Sequence, residues 1–587
     1  MKKFSLFLAV LSLLVLTSSC IVYGQNMDFV QGSHLWQEDQ YLLGVPKETR
    51  CSAVAENFKS EASITGADGK PVSGTALAGT GMRVKAASEL TLVVYGDING
   101  DGRLTSTDYV QLKKAFAGQL QLADARFEAA DVSCDDRITS TDYIRIKKCF
   151  GGLADLYENM SASPYVSRYE YQEYDTSGYR MDRDKINIGV FDFAKGIRDE
   201  AHMQAYKEEF GGDFIVHGNN SSKFYDLCEK YQVGFIADDK NLTRYTYGSA
   251  PEKLDPTSFA DFETKLAAYN DNYEYCWGDD IFDEPTTAYY DWMKGVTERY
   301  QEKFSDRFIY FNLHPFAPSG PSHGHGAANY REYIAQYIEK IDTDYISFDI
   351  YPFNNQFPGM HPNFLENLDV VASACRETGR DFWLISQAGA TGMARKMNEY
   401  QLSWQMYTAL AYGAKTIIHA CYTPCWWEDG TSLVNLDGTY TDLWYAAKNL
   451  NAEVKGLSDV YMQYDSLGVF GLDQSSFVAR QIRSQNVRAL ESGLMGARGF
   501  KDIEAERGLL VGSFEKSDGN GYAMMLVETS DPYDGDNGTN QITFKTAVSE
   551  GVKVTSHRGS TSEVLTPVNG VYTVELTNGQ GCFITVE

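Results

Sequence analysis

Hydrophobic and polar positions change their period several times along the chain, and the longest regular stretch lies between residues 185 and 460. There, short apolar runs at Lys185–Phe193, Phe214–His217, Val233–Asp238, Cys276–Phe282, Phe308–Leu313, Tyr345–Ile350, Phe382–Ser386 and Thr416–Tyr422 alternate with longer segments. The runs carry little polar alternation, so they read as strands buried on both faces. The longer segments place apolar residues three and four apart over Glu200–Phe210, Lys223–Tyr231, Phe259–Tyr269, Thr287–Phe304, Tyr330–Ile341, Asn363–Thr378, Glu399–Gly413 and Thr441–Ser458. That spacing predicts amphipathic helices. Eight strands, each followed by a helix, predict a closed (β/α)8 TIM barrel over 185–460. An open doubly wound sheet is the competing arrangement, but no GxGxxG turn opens the first helix. From 461 to 587 short period-two runs between Gly, Asn and Asp turns predict a β-sandwich.

The N-terminal third is built differently. Lys2 and Lys3 precede an apolar run from Phe4 to Leu16 and then Thr17-Ser18-Ser19-Cys20. This is the pattern of an export leader over 1–24, and it is too short for a convincing membrane span. Lipidation of Cys20 and cleavage after Gly24 are its two outcomes. Residues 25–95, rich in Gly, Ala, Ser, Thr and Val and closing on the alternating run Leu90–Tyr95, predict a small β-rich module. The segment 97–118, DINGDGRLTSTDYVQLKKAFAG, then returns at 131–152 as DVSCDDRITSTDYIRIKKCFGG. Each copy is an oxygen-rich loop running into an amphipathic helix, so the pair is an internal repeat. A polar linker, 154–184, separates it from the barrel.

The loops have the chemistry of a hard cation site. Calcium takes six to eight oxygens, and a twelve-residue loop offers them at positions 1, 3, 5, 7 and 12. In the first copy these are Asp97, Asn99, Asp101, the Arg103 carbonyl and Asp108, with Gly102 at the sharp turn. In the second they are Asp131, Ser133, Asp135, the Arg137 carbonyl and Asp142. Asp136 replaces the glycine there and Ser133 is a poorer ligand, which predicts weaker binding. With Asp at position 12 and a Lys-Lys pair on each helix, the repeat resembles a type I dockerin, an EF-hand-like α-helical domain over 96–153. The resemblance implies structural Ca2+ and a cohesin module of a scaffoldin or cell-surface protein as partner. It also implies a glycan-degrading enzyme on the same chain, secreted or attached to the cell surface in cellulosome fashion. Loop positions 10 and 11, which help choose the cohesin in that family, are Ser106-Thr107 and Ser140-Thr141. Their identity implies binding in either of two orientations.

Composition narrows the partners. With 52 Lys+Arg against 80 Asp+Glu the net charge is −28, which excludes nucleic acid and anionic membrane surfaces as electrostatic partners. The 39 Tyr and 8 Trp offer flat apolar faces with polar edges, suited to sugars as well as to a core. The ten Cys form no CxxC pair or zinc-like spacing, and no disulfide framework is predicted from them.

Chemistry on a (β/α)8 barrel belongs at the C-terminal strand ends. The residues predicted there are Asp192, His217, Glu284, Asn312, His314, Asp349, Tyr351, Gln387, Trp426, Trp427 and Glu428. Carboxylates, amides and indoles gathered at one mouth supply acid/base groups, hydroxyl partners and stacking platforms, as a sugar requires. Glu284, set between an apolar strand and Pro285, is the first catalytic candidate, and Asp349 is the second. The other nine are substrate-binding candidates. No HExxH or metal trio lies on the barrel, so no catalytic metal is expected.

Barrel and sandwich together resemble the retaining clan A glycosidases of the β-galactosidase and cellulase kind. In that clan the acid/base Glu stands at strand 4, which Glu284 matches, and the nucleophile Glu at strand 7. Here FWLISQAG puts Gln387 in the nucleophile's place, and Asp283 replaces the Asn that often precedes the acid. Either the second carboxylate comes from another strand, with Asp349 preferred, or the barrel binds carbohydrate without cutting it. The expected function is an exported, cohesin-docked hydrolase of O-glycosyl bonds in a polysaccharide or glycan.

Overall fold

A computed structural model describes residues 35–38, 40–132, 138–150, 156, 169–193, 197–218, 221–238, 272–315, 326–327, 330–353, 361, 363–389, 396–424, 431–472, 497–529, 538–548 and 551–587. The leader with Cys20, the predicted helix Phe259–Tyr269 and the segment carrying Trp426, Trp427 and Glu428 lie outside them.

Eight parallel strands close the barrel in the order β5-β6-β7-β8-β1-β2-β3-β4, where β1 is Asn187–Phe191, β2 Phe214–Gly218, β3 Gly234–Asp238, β4 Cys276–Asp283, β5 Phe308–Leu313, β6 Tyr345–Asp349, β7 Asp381–Gln387 and β8 Ala414–Ala420. Each coincides with a predicted run to within a few residues. β8 ends two residues early, before Tyr422, whose ring stacks on Phe193 outside the strand. The open-sheet alternative is thereby excluded. Helices follow the strands, among them Ser222–Tyr231, Tyr290–Lys303, Tyr330–Lys340, Phe364–Thr378, Glu399–Ala411 and Asp442–Lys455. The helix begun at Glu200 continues as one π-helical turn, Ala205–Glu209. A 3-10 turn, Thr287–Tyr289, precedes Tyr290–Lys303 where a continuous helix from Thr287 was predicted.

Inward side chains fill the barrel, as its geometry requires. Val216, Ile236, Trp277, Tyr310, Tyr345, Trp383 and Ile418 make one buried cluster, with Tyr345 stacked on Trp383 at 4.2 Å. Under the N-terminal strand ends, buried Arg183 binds Asp344 at 2.6 Å and Asp381 at 2.5 Å and lies over the Trp383 ring. This end is a structural floor; chemistry is left to the opposite rim.

The C-terminal region is a sandwich of a six-stranded and a three-stranded sheet. The helix Glu399–Ala411 joins it to the barrel. A Cβ on Gly581 would sit 2.1 Å from the Tyr407 ring, and one on Gly512 would sit 2.3 Å from the Ala411 carbonyl. Ser403 donates its hydroxyl to the Gly579 carbonyl at 2.8 Å. Leu510, Phe514, Met525 and Phe583 of the sandwich therefore belong to the barrel's own core cluster.

At the N-terminus five short strands form one sheet: Trp36–Glu38, Tyr41–Leu43, Glu89–Leu92, Arg83–Lys85 and Ser63–Thr65. The repeat follows as helices Ser106–Phe116 and Ser140–Phe150, with a short helix, Ala125–Ala130, between them. Leu42, Val84 and Val94 of the N-terminal module, Ile98, Leu112 and Ile146 of the repeat and Ala129 of the helix between its copies share one buried cluster. Among the described residues, no helix is long and apolar enough to cross a membrane.

Candidate functional site

The rim of the barrel is organised around the end of β4. Pro285 cannot extend the strand, and Glu284 turns out of it with φ at 50°, in the left-handed region that non-glycine residues seldom occupy. Its N–H still donates to the Asn312 carbonyl on β5 at 2.8 Å. Tyr333 donates its hydroxyl to the Pro285 carbonyl at 2.7 Å and accepts the His314 N–H at 3.2 Å. The turn is thus tied to β5 and to the helix Tyr330–Lys340 that follows it. Strained backbone held by such ties is a recurring feature of active sites.

Three carboxyl groups face this point. Asn312 donates its side-chain amide to Asp283 Oδ1 at 3.0 Å and to Asp349 Oδ1 at 2.8 Å, bridging the ends of β4 and β6. Glu284 lies beside Asp283, and its carboxylate is 3.8 Å from His314 Nε2. His314 Nδ1 lies 2.8 Å from the Pro315 carbonyl, which fixes the ring beside Glu284. Burial, reinforced by the Asp283 charge, pushes the Glu284 carboxyl up to about 8. Asp349 is also raised, by burial first and then by the Glu284 and Asp283 charges, while the Asn312 hydrogen bond pulls it back. Two carboxyls this strongly coupled do not both ionise readily near neutral pH. Asn312 favours the ionised form on Asp349, but burial and the Glu284 charge oppose it, so the proton belongs to the coupled pair.

The remaining predicted residues divide. Tyr351 packs against the barrel-lining cluster and feels the charges of Asp349 and Glu284. Asp192 ends β1 with φ at 61°, and its charge acts on Arg198. Gln387 is buried at the end of β7 and its amide is spent on backbone: Nε2 donates to the Phe353 and Gly389 carbonyls at 3.1 and 3.2 Å, and Oε1 accepts the Phe353 N–H at 3.0 Å. It braces the loop after β6. The His217 side chain, Trp426, Trp427 and Glu428 lie outside the described residues. Asp283 was read in the sequence only as a departure from a pattern. Its role as the charge that raises Glu284 follows from its being the adjacent residue.

In the first repeat loop Asp97 accepts four backbone N–H groups, from Gly100, Asp101, Gly102 and Thr80, at 2.8–2.9 Å. Asp108 accepts the Asn99 N–H on one oxygen and Thr105 N–H and hydroxyl on the other, each at 2.9 Å. Both carboxylates are fully buried, the Asp108 charge acts against Asp97, and among the described residues no basic side chain pairs with either. Burying two like charges is costly unless a cation joins them, so this oxygen set fits calcium. In the second copy Asp131 and Asp142 are buried, and Thr139 caps Asp142 as Thr105 caps Asp108. Ser133, Asp135 and Arg137 lie outside the described residues.

The repeat has a near two-fold surface. Tyr109 and Tyr143 hydrogen-bond through their hydroxyls, Tyr109 stacks on Phe150 and Tyr143 on Phe116. Ser106, Thr107 and Ser140 are exposed. Val110, Phe116, Ile144 and Phe150, equivalent in pairs, are about half exposed.

Residues 95–150 match the dockerin type I domain, and this part of the chain is a type I dockerin. None of the curated proteins matches the chain. Solved structures similar to it include a family 39 glycoside hydrolase from the gut symbiont Bacteroides cellulosilyticus WH2, at 12% identity over 69% of this chain and 82% of that one, with a TM-score of 0.41. A glycoside hydrolase family 30 subfamily 8 xylanase from Clostridium acetobutylicum is similar at 12% identity over 69% and 97%, with a TM-score of 0.35. An endo-β-1,4-mannanase from Thermotoga petrophila is similar at 9% identity over 67% and 92%, with a TM-score of 0.32.

Proposed function

We propose that the chain is an exported glycoside hydrolase, carried by its dockerin to a cohesin, that cuts a polysaccharide or glycan at the barrel mouth. The observation that carries this reading is the pair of carboxyls, Glu284 and Asp349, brought to the C-terminal ends of β4 and β6, with Asn312 bridging Asp349 to Asp283 beside Glu284. Breaking a glycosidic bond needs that pair. Glu284 gives its proton to the leaving oxygen as the C–O bond breaks and becomes a carboxylate. Asp349 either takes a proton from the water that attacks the anomeric carbon or attacks that carbon itself. Asn312 and His314 hold the two carboxyls in place, and Tyr351 and Asp192 line the approach. Asp97, Asn99, Asp101, the Arg103 carbonyl and Asp108, with the matching second loop, would hold calcium, whose charge would offset the buried carboxylates beneath the cohesin-facing surface. A panel of plant and animal glycans tests the reading: wild type should release reducing ends, and Glu284→Gln should lose about 10²–10⁴ of the rate.

One observation favours a second reading. Strand β7 ends in an amide committed to bracing a loop, where the clan this barrel resembles carries its nucleophile. A barrel that only binds carbohydrate would take up oligosaccharide in calorimetry without turnover and lose it on Trp426→Ala.

A further inference from the structure

The first dockerin loop is gripped from outside the repeat. Thr80, in the N-terminal module, donates its backbone N–H to Asp97 Oδ2 at 2.9 Å, the same oxygen that accepts the Gly102 N–H. Thr80 is itself fixed, because its hydroxyl accepts the Val94 N–H at 3.0 Å and donates to the Val94 carbonyl at 3.2 Å. On the other side, Glu48 donates its N–H to the Gly102 carbonyl at 2.7 Å. The two backbones touch. A Cβ on Gly79 would lie 2.3 Å from the Gly100 oxygen, one on Gly100 would lie 2.7 Å from the Thr80 oxygen, and one on Gly102 would lie 2.7 Å from the Ala78 oxygen. Only glycine on both sides permits this approach.

We propose that Glu48 and residues 78–80 are positioning residues for the first calcium loop, which makes that site a composite of two modules. Three of the four N–H groups on Asp97 come from the loop and the fourth from the N-terminal module. Without Thr80, Oδ2 keeps one donor and the carboxylate is free to turn away from the cation position. Groups that orient a metal ligand typically set 10–100-fold of the metal's affinity. The first site's affinity is therefore set partly by a segment that the repeat pattern leaves out. The inference rests on the calcium reading of the dockerin.

The test uses the full chain with calcium alone as the probe. In isothermal titration, Gly79→Ala should weaken one of the two sites by about 10–100-fold and leave the other unchanged. In the wild type, calcium should slow hydrogen exchange at the Thr80 and Glu48 amides, because a ligand that binds the gripped loop stabilises the grip. This second readout needs no variant and decides the matter if Gly79→Ala does not fold. Wild-type affinity at both sites in folded Gly79→Ala, or exchange at Thr80 that ignores calcium, overturns the proposal. Absence of calcium uptake by the wild type instead overturns the calcium reading, and the proposal with it.

Discussion

Glu284 and Asp283 are adjacent in sequence, yet their environments give them different work. Asp283 accepts from Asn312, while Glu284 sits partly buried with its neighbour's charge against it, and its carboxyl rises to about 8. Asn in place of Asp283 keeps the acceptor for Asn312 but removes the charge, so the Glu284 carboxyl should fall. The alkaline limb of the pH–rate profile should then move to lower pH in Asp283→Asn; an unmoved limb would count against this coupling. Stability carries the same signature. A carboxyl raised in the folded state binds more protons there than when unfolded, so its contribution is present at low pH and is lost as pH rises from the ordinary Glu value through about 8. Glu284→Gln removes that loss. Its stability should exceed wild type at pH 8 by an amount on the order of 1 kcal/mol after screening at the open rim, read as a higher melting temperature, and match it near pH 4.

At the level of elements, the end of β7 is the informative one. Gln387→Glu would place a carboxylate where the retaining glycosidases carry one, but here it would face the Phe353 and Gly389 carbonyls with only the Phe353 N–H to accept. Unfolding by denaturant should find it about 1–3 kcal/mol less stable than wild type, with no gain in sugar release. The barrel strands were legible because each is a run of apolar residues buried on both faces, a pattern few other elements produce. The dockerin repeat was legible because oxygen-bearing residues recur at fixed spacing. Glu284 was visible as a carboxylate trapped before a proline. The spending of Gln387 on backbone was not, because it depends on where the loop after β6 folds. Nor was the grip of Thr80 on Asp97, which joins residues seventeen apart across two modules with no shared pattern.

At the scale of the whole molecule, two of the buried clusters join neighbouring modules. One runs through barrel and sandwich by way of the helix Glu399–Ala411, and the other through the N-terminal sheet and the dockerin. Calorimetry should show two transitions, and EDTA should lower the dockerin's while leaving the barrel's in place, since the buried loop carboxylates of the dockerin repel without a cation. Because the N-terminal sheet shares the dockerin's cluster, its near-UV signal should be lost together with the dockerin's. A single transition that moves as a whole on chelation would refute this division. The central claim concerns the barrel mouth, and the measurement closest to it is the pH dependence of sugar release by full-length wild type and Glu284→Gln. Release that falls as pH passes through about 8, and that is lost by orders of magnitude in the variant, is the predicted result. Equal release by the variant, or none by wild type on any glycan between about pH 5 and 8, would contradict it.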